Sequence, residues 1–172
     1  DACSQIGWPF GPVVQLLTLT GQRRGEVAQM YWSEIDLDKA MWTIPRERSK
    51  NDRANEVPLS APALNIINAL PRYGDLVFTV TGVTPVSGFP RAKRRLDEIS
   101  GVDNWRFHDL RRTAATGMAR MNVPPHVVEK VLNHSSGIVS GVAAIYNRYG
   151  YLDEKCEALS SWAKHITEVT SK

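Results

Sequence analysis

Long apolar runs are missing from this 172-residue chain. Nowhere do hydrophobic residues approach the roughly 18 to 20 in succession that would cross a bilayer. The first residues also lack the basic, apolar and small-residue order of a secretory signal. Cysteine is scarce: Cys3 and Cys156 are the only two, far apart, with no CxxC or Cys/His grouping. A disulfide framework and a structural zinc site are thereby excluded, and free thiols in a reducing, cytoplasmic setting are expected. A carboxylate cluster and a Walker-type glycine loop are missing as well, which removes two common routes to phosphoryl chemistry. Internal repeats and low-complexity tracts are absent.

What remains is the composition of an ordinary globular domain, 42% hydrophobic and 23% charged. At this length one well-buried core is expected, so residues 1–172 read as a single domain. The chain opens with Asp1 and without a clear element, which suggests a domain excised from a longer protein. The net charge of +3 is modest, but its distribution is uneven. Basic residues gather at Arg23–Arg24, at Arg46, Arg48, Lys50 and Arg53, at Arg91, Lys93, Arg94 and Arg95, and at Arg106, Arg111 and Arg112. Brought to one side by folding, these would make a phosphate-binding face.

Periodicity and punctuation predict a mostly helical chain with a small antiparallel sheet in its first half, an α+β class. Helices are expected over 11–19 and, with Val27, Met30 and Tyr31 as an inward stripe, over 23–32. Ser33 to Lys39 is turn-like. MWTIP (41–45) and NEVPL (55–59) read as a hairpin with Lys50 at or near its tip. A helix over 61–70, a short buried strand at LVF (76–78) and a loop over 79–90 follow. Helices then run over 91–100, 109–121, 125–132 and 139–149, with an amphipathic one over 153–169.

Four separated places carry groups suited to a phosphodiester. In TGQRRGE (20–26), Arg23 or Arg24 opens a helix after a glycine, where a guanidinium offers a two-pronged donor to phosphate oxygens. Glu26, three positions after Arg23, could hold it; the alternative is an ordinary surface ion pair. In RFHDLRRT (106–113), His108 shares a helix face with Arg111 at i+3 and with Arg112 at i+4. The alternative there is a capping Asp109 followed by exposed cations. His134 in VLNHSS (131–136) sits at a helix–loop junction, where a histidine is commonly structural, and a loop lysine such as Lys50 is commonly just solvated. AAIYNRYGY then places three of the five tyrosines, Tyr146, Tyr149 and Tyr151, within six positions.

Taken in order, these boxes resemble the catalytic domain of the tyrosine recombinases, the phage-integrase family, over nearly the whole chain. That pattern has an arginine in T-G-x-R-x-x-E, a lysine on a β-hairpin, H-x-x-R, then a histidine or tryptophan and, about ten residues on, a nucleophilic tyrosine. The resemblance selects Arg23, Lys50, His108, Arg111, His134 and Tyr146 as catalytic, with Glu26 in support. Asn133 stands where the family usually has glycine. The interval of twelve residues from His134 to Tyr146 keeps Tyr149 and Tyr151 as contenders.

The resemblance implies attack by Tyr146 on a DNA phosphate, charge stabilisation by Arg23, Arg111 and one or both histidines, and proton donation by Lys50. Neither a metal nor another cofactor is implied. The implied partner is a double-stranded DNA attachment site, bound by four copies of the full-length protein, with no membrane involved and with the isolated domain monomeric. A missing N-terminal region would clamp the DNA. The C-terminal stripe of Leu152, Cys156, Leu159, Trp162 or Ala163, and Ile166 would dock either on a neighbouring protomer or on its own domain. Two rival readings are a non-catalytic helix-turn-helix module built on residues 113–134 and a type IB topoisomerase-like enzyme.

Overall fold

The computed structural model describes residues 1–134 and 150–171. The expected helix over 139–149, with Tyr146 and Tyr149, lies outside the described residues. The observed elements are α1 (Ala2–Ile6), α2 (Phe10–Thr20), α3 (Arg24–Ala28), β1 (Ile35–Asp36), β2 (Met41–Ile44), β3 (Asn55–Pro58), α4 (Ala61–Asn68), α5 (Phe89–Ser100), α6 (Phe107–Arg120), α7 (Pro125–Val131) and α8 (Leu152–Thr170).

Helix α2 is the axle of the fold. Val13, Val14, Leu16, Leu17 and Leu19 are all buried, so this helix is apolar nearly all round, as a helix surrounded by others must be. It packs against α1, α4, α6 and α8. Burying each of these side chains contributes roughly 1.5–3 kcal/mol. It stops at Gly21, whose φ of 65° is left-handed. An added Cβ there would stand 3.1 Å from Leu132 and 3.3 Å from Ala114, so the left-handed conformation favours glycine and the close neighbours add to that preference.

The sheet runs β1-β2-β3, all antiparallel. Trp42 pairs with Ile35 on one side and Val57 on the other, and alternation turns Trp42 and Ile44 inward while Thr43 faces out. β3 packs against α8.

Three expectations need correction. The second helix ends at Ala28 rather than near Trp32. Its remainder is drawn into pairing with residues 75–77: Trp32 N–H donates to Asp75 O (2.9 Å), Val77 N–H to Met30 O (2.8 Å), and Tyr31 bridges Leu76. For the same reason LVF is buried but forms only that single bridge, not a strand in the sheet. The N-terminus does open with an element, because α1 lies against α2 so closely that a Cβ on Gly11 would fall 2.1 Å from Cys3 O. Cys3 and Cys156 are free and partly buried. Among the described residues no helix is long and apolar enough to cross a membrane.

The C-terminal helix α8 lies on its own domain. Ala158, Leu159, Trp162 and Ala163 are buried, and the Trp162 indole N–H donates to Thr18 O at 2.7 Å. That carbonyl belongs to the last turn of α2, where no intrahelical donor is available.

Candidate active site

A cleft of about 520 Å³ opens between the start of α3, the start of α5 and the start of α6, and Arg23, Arg24, Lys93, Arg106, His108 and Arg111 line it. Its floor is aromatic: Phe89, Phe107 and Trp105 line it, packed edge to face in series with Phe10 behind Phe89, centroids 5.4–5.5 Å apart. Arg24 lies over Phe89 at 4.9 Å and Lys93 over Trp105 at 4.5 Å. Arg112 points elsewhere, exposed and paired with Asp109 at 3.3 Å.

Arg23 occupies the cap position of α3. The buried Glu26 carboxylate accepts from both the Arg23 backbone N–H and its Nη1, each at 3.0 Å, so a local turn orients the guanidinium. Arg111, on the first turns of α6, is 4% exposed. Its Nη1 donates to Gly21 O at 2.7 Å and its Nη2 to Leu132 O. Burial, and next the Arg23 charge, push its pKa down to about 10, so it remains a cation at neutral pH.

The end of α7 ties the boxes together. Three successive carbonyls there, of Val131, Leu132 and Asn133, accept in turn from Gln22, Arg111 and Asn51. Helix ends leave such acceptors unpaired. Here each is taken by a side chain from a different box: TGQRRGE, RFHDLRRT and the SKNDR hairpin. His134 follows at once, exposed, with Nδ1 3.2 Å from Glu129 Oε1. Lys50 is exposed on the hairpin between β2 and β3. Tyr151 is partly buried, its ring 5.0 Å from that of His126 and under Lys130.

Not every basic residue faces outward as a phosphate ligand. Arg46 is held by Asp52 (2.6 and 2.7 Å), Arg48 by Glu34, and Lys93 by Asp97. The expected basic face is thus reduced: among the described residues, Arg24, Lys50, Arg53, Arg91, Arg94, Arg95 and Arg106 form no ion pair within 4 Å.

Sequence reasoning missed a buried polar chain behind the site. Lys155 of α8 donates to Asn55 Oδ1 (3.2 Å) and Glu56 O; Asn55 Nδ2 donates to Gln22 Oε1 (3.2 Å); Gln22 Nε2 reaches Thr20 O and Val131 O (both 2.9 Å). Burial pushes Lys155 from 10.5 down to about 8. The folded chain therefore holds this proton less tightly than the unfolded chain, and the stability conferred by the group rises with pH from about 8 towards 10.5. A Lys155→Met variant lacks that rise. Urea melts at about pH 7.5 and about pH 9.5 are expected to show the wild type gaining about 2 kcal/mol relative to the variant. A constant difference would mean that Lys155 is not buried as a cation.

The phage integrase family matches residues 10–150. The prophage integrase IntA of Escherichia coli K12 is 34% identical over 163 residues, covering 91% of this chain and 38% of that protein. The integrase of Salmonella phage P22 is 26% identical over 76% of this chain and 37% of its own length. The chain thus spans less than half the length of these curated relatives. Among solved structures, an integrase from mycobacterium phage Brujita superposes with a TM-score of 0.66 at 16% identity, over 93% of this chain and 51% of that one. The XerA recombinase gives 0.66 at 21% identity, over 95% and 60%. The XerH site-specific recombinase bound to its difH substrate gives 0.61 at 19%, over 78% and 44%. These likenesses establish a shared fold.

Proposed function

The chain belongs to the phage integrase family, and from that premise we propose that it is the catalytic domain of a site-specific recombinase that cuts and rejoins double-stranded DNA, integrating and excising a prophage or genomic island. The observation that supports this reading best is the convergence of Arg23, His108 and Arg111 on one cleft, with the Lys50 hairpin and His134 attached to the helix end that also braces Arg111.

The scissile phosphate sits between the two guanidiniums. A phenol has a reference pKa of about 10, and their field favours the phenolate of Tyr146. The phenolate oxygen attacks phosphorus, and the bond to the 5′ oxygen breaks. Charge growing on the non-bridging oxygens is met by donors already fixed in place, Arg23 and Arg111 with His108 and His134, so these stabilise the transition state more than the ground state. Lys50 gives its proton to the departing 5′ oxygen. The products are a 3′-phosphotyrosyl link and a free 5′ hydroxyl, and attack by the hydroxyl of another strand reverses the step without ATP. Four copies of the full-length protein act on two duplexes.

Covalent trapping tests this reading. A nicked duplex carrying the attachment site is incubated with the full-length protein, and the denatured product is digested for mass spectrometry. The expected result is a DNA fragment on the peptide containing Tyr146, and on that residue. A fragment on Tyr149 or Tyr151 would reassign the nucleophile, whereas no adduct with any cognate site would reduce the domain to a DNA-binding module.

A further inference from the structure

Asn133 is one of few non-glycine residues with positive φ among the described residues, at 48°. Asparagine tolerates that region better than most side chains, but glycine tolerates it best. Conformation alone therefore does not explain an asparagine at this position. Its hydrogen bonds do. The Asn133 Nδ2 donates to Ser49 Oγ at 3.0 Å and to Arg53 O at 3.3 Å, while Asn51 Nδ2 donates back to Asn133 O. The residues on both sides of Lys50 are thereby fastened to the end of α7, one position before His134.

Among the described residues, little else holds the tip of this hairpin to the body. The Arg46–Asp52 pair closes the tip on itself and is well exposed, at 66% and 74%, a setting in which ion pairs hold weakly. The Arg48–Glu34 pair anchors only the base. We infer that Asn133 is a positioning residue, a latch that sets where the Lys50 ammonium stands relative to the scissile phosphate. The inference rests on the reading of Lys50 as proton donor. It assigns to the asparagine a role in leaving-group departure that a glycine, with no side chain to donate, cannot fill.

Asn133→Gly isolates the latch, because it removes the side chain while keeping the backbone conformation accessible. The full-length protein would cleave two suicide duplexes under single-turnover conditions: one with the ordinary 5′ oxygen at the scissile phosphate, one with a bridging 5′ sulfur. Sulfur departs as a thiolate and needs no proton, so it bypasses the donor and whatever positions it. On the oxygen substrate Asn133→Gly is expected to be roughly tenfold to a hundredfold slower than wild type, with the sulfur substrate cleaved at the wild-type rate. Ser49→Ala, which removes one acceptor from the opposite side, should show the same pattern more weakly, and a urea melt of each variant confirms that it is folded. Slowing on both substrates, or on neither, overturns the latch. Lys50→Ala is the reference: if sulfur fails to restore its cleavage, the reading of Lys50 itself falls and the latch with it. If sulfur restores Lys50→Ala but not Asn133→Gly, the latch alone is wrong.

Discussion

Arg111→Lys should slow single-turnover DNA cleavage by a factor on the order of 100 to 1,000. The substitution keeps the charge and removes the geometry. A guanidinium has five donors in a rigid fork; Arg111 spends donors on Gly21 O and Leu132 O and has others to turn toward the cleft. An ammonium has three donors on a flexible stem and cannot hold two carbonyls and grip a phosphate at once. One carbonyl left buried and unpaired also lowers stability by about 1–3 kcal/mol. Rates should therefore be measured at saturating DNA and well below the melting transition. A variant that cleaves at close to the wild-type rate would remove Arg111 from the reaction and leave it as a brace between α2 and α7.

Trp162→Ala is expected to cost about 3–5 kcal/mol of folding free energy. The ring is 2% exposed and lies against Gly117, where an added Cβ would fall 2.1 Å from the ring carbon Cζ3. Truncation empties that space and removes the indole N–H that donates to Thr18 O. For a domain of this size each kcal/mol is worth roughly 2–4 °C, so the melting temperature should fall by about 10 °C or more. The reciprocal change, Gly117→Ala, should destabilise through overpacking at the same contact. A Trp162→Ala protein that melted like wild type would show that α8 does not rest on α2 and α6 in solution.

Much of the fold was legible because its signals are local. The hairpin, α2, α5, α6 and α7 are marked by apolar period and by Gly or Pro punctuation, and each lies within a few residues of its expected span. Two of the misreadings share one cause, pairing between distant segments: residues 30–32 look helical until residues 75–77 claim their backbone, and LVF looks like a strand until that single bridge is all it receives. The site divides along similar lines. Spacing within a short box marks Arg23 or Arg24 with Glu26, and His108 with Arg111 or Arg112, and the family resemblance makes the choice within each pair. Gln22, Asn55 and Lys155 are ordinary polar residues in ordinary places, and only their burial beside one another gives them a role. Arg46 and Arg48 carry the opposite lesson, since cations that read as ligands are neutralised by acids 6 and 14 positions away.

The carbonyl triplet at the end of α7 bears on how the chain is made. Gln22 meets Val131, 109 positions along the chain, and Arg111 meets Gly21, 90 positions away, so these contacts close only after long loops have been brought together, late in folding. A nascent chain still short of residue 131 lacks the carbonyls of Val131, Leu132 and Asn133, so Gln22, Arg111 and Asn51 cannot yet be gathered on one helix end. On the proposed function, the cations of the site are therefore made well before the geometry that would use them.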